Sequence, residues 1–232
     1  MNRKLIFKNL HNYLTSHIDG YDSKVVGDQL IVYRKIRGVD YSLKFRCQNF
    51  GDTYLVNSIG VLIKIDEIEQ VFRSLVIKEL QEYYSDEFTL ALSAYEFDLK
   101  SMINNFKIKS EIDLKTLNGL LVEFILEVQD SIFDAMTDVK SIAKYISKYN
   151  YDDNLKVLVG GSFPVHNFKK IFLLFAGDEM DKYIEYKEGV LEQIESFPLR
   201  KPNRKEEARL FIENYDYLIT KLEARDRIKP IA

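Results

Sequence analysis

Five carboxylates, Glu123, Glu127, Asp130, Asp134 and Asp138, follow one another at spacings of four, three, four and four. On a helix of ~100° per residue all five fall within an arc of about 80°. No Lys or Arg occurs between Lys115 and Lys140, so nothing inside the segment neutralises them. Like charges four residues apart each cost on the order of a few tenths of a kcal/mol in an isolated helix. A run of five therefore points to an external cation or a basic partner. A divalent metal fits poorly, because acids in a line do not converge into a cage. A basic protein surface fits better. The plainer alternative is the wet side of a helix whose other side carries Leu121, Phe124, Ile125 and Val128.

Other chemistry is poorly provided for. His11 and His17 are six apart, about 120° around a helix, and His166 stands alone. There is no His-Glu-x-x-His and no paired cysteine, so no metal site is expected. Val157-Leu-Val-Gly-Gly-Ser-Phe-Pro164 superficially resembles a strand entering a nucleophile elbow, but Pro164 stands where the second glycine of G-x-S-x-G belongs. A helix-capping turn accounts for Gly160 to Pro164. Neither a Walker A nor a G-x-G-x-x-G pattern is present. No catalytic, cofactor-binding or metal-binding residue is assigned.

A second charged stretch has the opposite sign. Residues 24–50 carry Lys24, Arg34, Lys35, Arg37, Lys44 and Arg46 against Asp28 and Asp40, with Tyr33, Tyr41 and Phe45 among them. Cations interleaved with aromatics invite a nucleic-acid reading. In a strand, however, Tyr41 and Phe45 share one face and Lys44 and Arg46 the other. A solvated sheet face is the simpler expectation.

The elements that must position these residues are readable from periodicity. Residues 2–17 are predicted as an amphipathic helix through Ile6, Leu10, Tyr13 and Leu14. Strict alternation in Tyr41–Gln48 predicts a strand with one buried face, flanked by strands at 29–36 and 53–63 in an antiparallel meander. Arg37-Gly38 and Asn49–Asp52 supply the turns. From Asp66 the helical period returns through Ile68, Phe72, Leu75 and Val76, with Asp66, Glu67 and Glu69 where a helix dipole favours anions. Phe88–Phe97 fits a strand or a short helix. Between Gly119 and Gly160 the pattern is helical, as one long helix or two broken near Ser131. Further helices are expected from Pro164 to Gly177, from an Asp178 cap to about Phe197, and behind Asn203, which with Glu206 resembles a capping box. The fold class expected is α+β: an N-terminal helix and antiparallel meander in residues 1–108, then an all-helical part in residues 109–232, as two domains or one continuous one.

The composition bounds the rest. A chain of 232 residues with 46% apolar side chains buries a core without a metal or disulfide. Ten glycines and four prolines exclude collagenous and Gly/Pro-rich disordered classes. A net charge of −3 gives no general affinity for nucleic acid or anionic membranes. Cys47 is the single cysteine, and the apolar runs Leu5–Phe7 and Ile171–Ala176 are too short for a secretory core or a bilayer span. A cytoplasmic location without membrane attachment is expected. Acid-rich stretches at 66–98 and 178–195 suit a protein-binding role, while the 15 tyrosines fit an interface and strands equally.

Residues 5–80, through Leu30-Ile-Val-Tyr-Arg34 and Gly51-Asp-Thr-Tyr-Leu-Val-Asn-Ser-Ile-Gly-Val61, resemble a bacterial family of domains of unknown function. Some members of such families resemble immunity or accessory proteins of bacterial conflict systems. The resemblance covers about a third of the chain, implies the helix–meander–helix order, and supplies no site residues. Together these readings lead to a non-enzymatic protein-binding module whose acidic helix face meets a basic partner. The alternatives are a nucleic-acid-associated protein using the basic sheet region, or an enzyme whose carboxylates converge only in the fold. Partner identity and oligomeric state are not encoded in these patterns.

Overall fold

Asn2 opens the first helix, α1 (Arg3–His17), by accepting a hydrogen bond from the Leu5 N–H at 2.9 Å. Ile6, Phe7, Leu10 and Leu14 form its buried stripe, and Tyr13 lies half-buried at its edge. A computed structural model describes residues 2–92 and 100–225.

Four strands follow: β1 (Asp22–Val26), β2 (Gln29–Ile36), β3 (Val39–Phe50) and β4 (Thr53–Ile65). They neighbour one another in sequence order, and β1–β2 and β2–β3 pair antiparallel. Ile36 pairs with Val39, leaving Arg37 and Gly38 as a two-residue loop with φ of 50° and 83°. Two consecutive positive φ values are the signature of the turn whose twist matches a hairpin. Along β3 the buried positions are Val39, Tyr41, Leu43, Phe45 and Cys47, so the predicted two-residue period is realised. Lys44 and Arg46 occupy the other face and are half-buried rather than fully exposed.

The chain continues through α2 (Asp66–Arg73), β5 (Leu90–Leu92), α3 (Lys100–Ile103) and β6 (Phe106–Ile108). Of the ambiguous Phe88–Phe97 stretch, residues 90–92 are strand and residues 93–97 lie outside the described residues. β6 pairs antiparallel with β4, Phe106 opposite Val56. The next helix, α4 (Glu111–Val128), begins at a reciprocal capping box between Ser110 and Asp113. It ends in a π-turn over Gln129–Phe133, where the Asp134 N–H reaches the Gln129 carbonyl at 3.0 Å. A new helix, α5 (Val139–Ile146), starts after Asp138, so the long helical pattern resolves into two helices.

Beyond it lie β7 (Leu158–Val159), α6 (Val165–Ala176), α7 (Met180–Glu195), α8 (Phe197–Arg200) and α9 (Lys205–Arg225). Two expected caps take other roles. Asp178 adopts a positive φ of 65° after α6, and Glu179 holds the N-cap position of α7. Asn203 lies inside a 3-10 turn, Pro202–Arg204, and the Glu206 carboxylate pairs with Arg209 at 2.7 Å. No capping box forms there, because the turn continues straight into α9.

The architecture is α+β, divided by compactness into two units. One comprises Met1–Ile63 with Ala91–Met136, and the other Lys64–Leu90 with Thr137–Ala232. The boundary expected near residue 108 falls inside the first unit, where α4 packs on β6 and α1. Its core brings the apolar face of β3 to α4, with Phe45 and Phe124 meeting edge-on at 6.1 Å. Burying such a ring is worth about 1.5–3 kcal/mol. The second unit is mainly helical, centred on α6, which packs against α5, α7 and α9.

Candidate functional site

The acidic residues are placed as follows. Glu123 lies exposed on α4, and Glu127 one turn later is half-buried, with Oε2 enclosed and without a hydrogen-bond partner. Asp130 is exposed within the π-turn, and Asp134 is exposed at its end. The π-turn closes a wider ring than an α-turn, so the face beyond Val128 no longer follows the α-helical phase. Asp138 does something different. Its carboxylate accepts the Ser141 N–H at 2.8 Å and caps α5, and that backbone hydrogen bond holds its pKa below the usual carboxylate value. It belongs to the second unit, whereas the other four belong to the first.

Among the described residues, Glu123, Glu127, Asp130 and Asp134 take part in no ion pair. Arg34 comes close without neutralising them. Its Nη1 donates to Gln129 Oε1 at 2.9 Å, and its guanidinium lies 5.5 Å from the Tyr21 ring centroid. Burial raises the Tyr21 pKa, Arg34 opposes the rise, and Asp134 and Asp130 add to it. Leu126 is 43% exposed, three residues from Glu123 and four from Asp130. The three-residue spacing makes Glu123 and Leu126 neighbours on the surface of α4, whereas Asp130 lies in the π-turn.

The basic sheet region is largely committed internally. Lys35 pairs with Asp40 at 3.1 Å, Arg46 with Asp28 at 3.3 Å, and Lys24 lies 5.5 Å from the Tyr33 ring. Cys47 is buried, and burial pushes its thiol up to about 11, far from the low pKa of a reactive cysteine. His11 Nδ1 and the Ser23 hydroxyl are 2.6 Å apart, and His17 stacks on Tyr13 at 3.8 Å. No group of three or more metal-ligating side chains is found among the described residues.

Two buried lysines escaped the sequence reading. Lys169 and Lys170 sit side by side in α6, 0% and 1% exposed. Lys169 Nζ donates to Glu69 Oε2 at 2.7 Å and to the Ser85 and Phe88 carbonyls at 3.2 and 3.4 Å. Glu69 Oε1 accepts from the Thr89 hydroxyl at 2.7 Å, and Oε2 also accepts from the Tyr84 hydroxyl at 3.0 Å. The Thr89 hydroxyl in turn accepts the Ile65 N–H. Gly160 permits this approach, because a Cβ there would collide with the Phe88 and Ser85 carbonyls. The three ammonium donors and both carboxylate oxygens are all occupied. That is the pattern of a structural clamp, with no group left to act on a substrate. Burial still pulls the Lys169 pKa down, with Glu69 opposing it.

Lys170 faces a different environment. A cavity of about 220 Å³ is lined by Ser162, Phe163, His166 and Lys170, with Val157 and Val159 as apolar wall and Leu155 and Leu158 at its edge. Burial alone pulls Lys170 down to about 8. Burial and the neighbouring Lys170 charge lower His166, while the backbone hydrogen bond at Ser162 raises it. His166 is therefore neutral near pH 7. The glycine–proline turn leads into α6 with Pro164 at the N-cap position, makes no side-chain cap hydrogen bond, and lines the cavity. The signal for the lysines was in the sequence: α6 is apolar nearly all round, and a helix of that kind has no solvent face for two cations.

No helix among the described residues is long and apolar enough to cross a membrane. No protein-family model, curated protein or solved structure matches the chain.

Proposed function

We propose that this chain is a non-enzymatic protein-binding module that receives a basic protein surface on the acidic face of α4 and its π-turn. The observation that carries the reading is the set of four carboxylates without an ion-pair partner among the described residues, with exposed Leu126 one turn from Glu123. Charge complementarity of this kind steers encounter and selects the partner, and the exposed leucine contributes affinity. Asp138 is left out of the binding face, because its carboxylate is engaged as a helix cap. The resemblance of residues 5–80 supports a setting among bacterial immunity or accessory proteins. The occupied cations of the sheet region weigh against the nucleic-acid alternative.

The test compares nuclease-treated pull-downs by wild type, by E123Q/E127Q/D130N/D134N, and by a control altered on α7, E188Q/E192Q/E195Q. Expected is one basic protein retained by wild type and control, lost by the α4 variant, with a slower on-rate as the main defect. Capture that is equal for all three, or abolished by nuclease, overturns the reading. Removing like charges should also leave the α4 variant slightly more stable than wild type.

A further inference from the structure

We propose that two copies of this chain associate through the outer face of α4, the two helices antiparallel about a two-fold axis at Gly119. All the residues concerned lie in the first unit. Glu123 and Leu126 also belong to the acidic face described above, so a second copy and a basic partner would compete for them. The pairing of copies does not depend on that partner.

The face is defined by helical position. Leu117 and Leu121 turn α4 into the core, and Gly119 lies about 160° from each of them. Ile112 and Leu126 are each seven residues from Gly119 and within about 20° of it, since seven residues fall just short of two turns. Both are large apolar side chains left in solvent, 77% and 43% exposed. A Cβ added at Gly119 would have nothing within 4 Å, so the backbone there is open to a neighbour. Apolar residues at seven-residue spacing form the seam along which helices pair.

The pattern reads the same in both directions, which a two-fold interface requires and a foreign partner does not. In an antiparallel pair centred on Gly119, Ile112 of each copy meets Leu126 of the other. Lys115 and Glu123 are each four residues from Gly119, on opposite sides, so each lysine comes level with the glutamate of the second copy. Both are exposed, and among the described residues neither takes part in an ion pair. A parallel pair would set lysine against lysine and glutamate against glutamate, and that repulsion selects the antiparallel orientation. Leu5 of α1, 53% exposed, lines a groove of about 380 Å³ with Leu114 and Lys115 and extends the apolar surface on one flank. From Ile112 to Leu126 the seam is about 21 Å long, short for a permanent dimer, so the association is reversible.

Sedimentation equilibrium of the full chain measures mass against concentration. Wild type should rise from one chain mass towards two, with a midpoint at micromolar concentration. I112S/L126S alters only exposed side chains and should stay monomeric with an unchanged circular dichroism spectrum. K115E and E123K should each weaken association at least roughly tenfold, and K115E/E123K should restore it. The two positions are about 12 Å apart along α4, too far to touch within one chain, so rescue reports contact between copies. An equimolar mixture of K115E and E123K should likewise associate. Mass and pull-down capture are separate readouts, so the dimer and the basic partner can fail independently. Wild type that stays monomeric up to about 1 mM, association that survives I112S/L126S, or charge variants without rescue overturns the proposal.

Discussion

Lys169 Nζ lies 2.7 Å from Glu69 Oε2, although the two residues are 100 positions apart and their side chains are 0% and 4% exposed. The pair joins α6 to α2 within the second unit, and backbone carbonyls from residues 85 and 88 complete the ammonium's coordination. Desolvating both charges is costly, so the clamp matters less as a source of net stability than as a constraint on which partner each group must find.

The first prediction follows from that asymmetry. E69Q or K169M, each leaving one partner buried alone, should cost about 3–5 kcal/mol in urea unfolding. The double variant E69L/K169M should recover much of the loss, because no unpaired charge remains. A single variant losing less than about 1 kcal/mol would contradict the clamp.

Lys170 should show the opposite response. Its pKa falls to about 8 when folded, against ~10.4 in the unfolded chain. Between these values the unfolded chain binds more protons, so wild-type stability should rise as pH climbs from 8 towards about 9.5. Above about pH 10 the raised pKa values of buried tyrosines such as Tyr21 and Tyr41 oppose the rise, since the unfolded chain then loses protons first. Below both lysine values the charge penalty is present in full. K170M should therefore be more stable than wild type at pH 7, by up to about 3 kcal/mol, with a weaker rise above pH 8. Thermal unfolding across pH 6–10 measures both.

Two helical glycines should part company when each is replaced by alanine. Gly119 lies in α4 with nothing within 4 Å of an added Cβ, so G119A should stabilise by about 0.5–1 kcal/mol. Gly189 lies in α7 against the ring of Tyr151, where the same methyl would overlap the ring carbons. G189A should therefore destabilise by about 1–3 kcal/mol. Melting temperatures of the two variants, moving in opposite directions, check the packing of Tyr151 on α7.

Asp138 should behave as a cap. D138A should cost about 1 kcal/mol, whereas D134N should be near neutral. Because hydrogen bonding lowers the Asp138 pKa, its contribution is present above the unfolded value near 3.9 and is lost as pH falls through the folded one. The D138A defect should shrink accordingly in strongly acidic buffer, as measured by denaturant midpoints at pH 7 and pH 3.

Much of the first unit was legible because its information is local. Alternation from Tyr41 to Cys47 names the buried face of β3 without knowledge of what covers it, since the two-residue period is a property of the strand itself. Arg37-Gly38 names its hairpin for the same reason: the φ values such a turn needs restrict the residues that form it. The stop at Gly177 and the apolar stripe of α1 were equally local, whereas α2 ends at Arg73, short of the Leu75 and Val76 that the helical period included. The acidic spacing was legible as a helix face, but its phase was not, because the π-turn at Gln129–Phe133 leaves no residue signature in the period.

What only the tertiary structure decided is where the charges went. Glu69 reads as one more acid in the first turn of α2, and Lys169 and Lys170 read as polar interruptions of an apolar helix. Their fate depended on Tyr84, Thr89 and two carbonyls brought in from distant positions, and no periodicity records which groups will meet across 100 residues. Asp138 and Asp134 belong to one spacing pattern, yet one caps a helix and the other faces solvent. Secondary structure follows from short-range sterics and hydrophobic period, which neighbouring residues carry. The pairing, burial and exposure of ionisable groups follow from desolvation and geometry in three dimensions, which they do not.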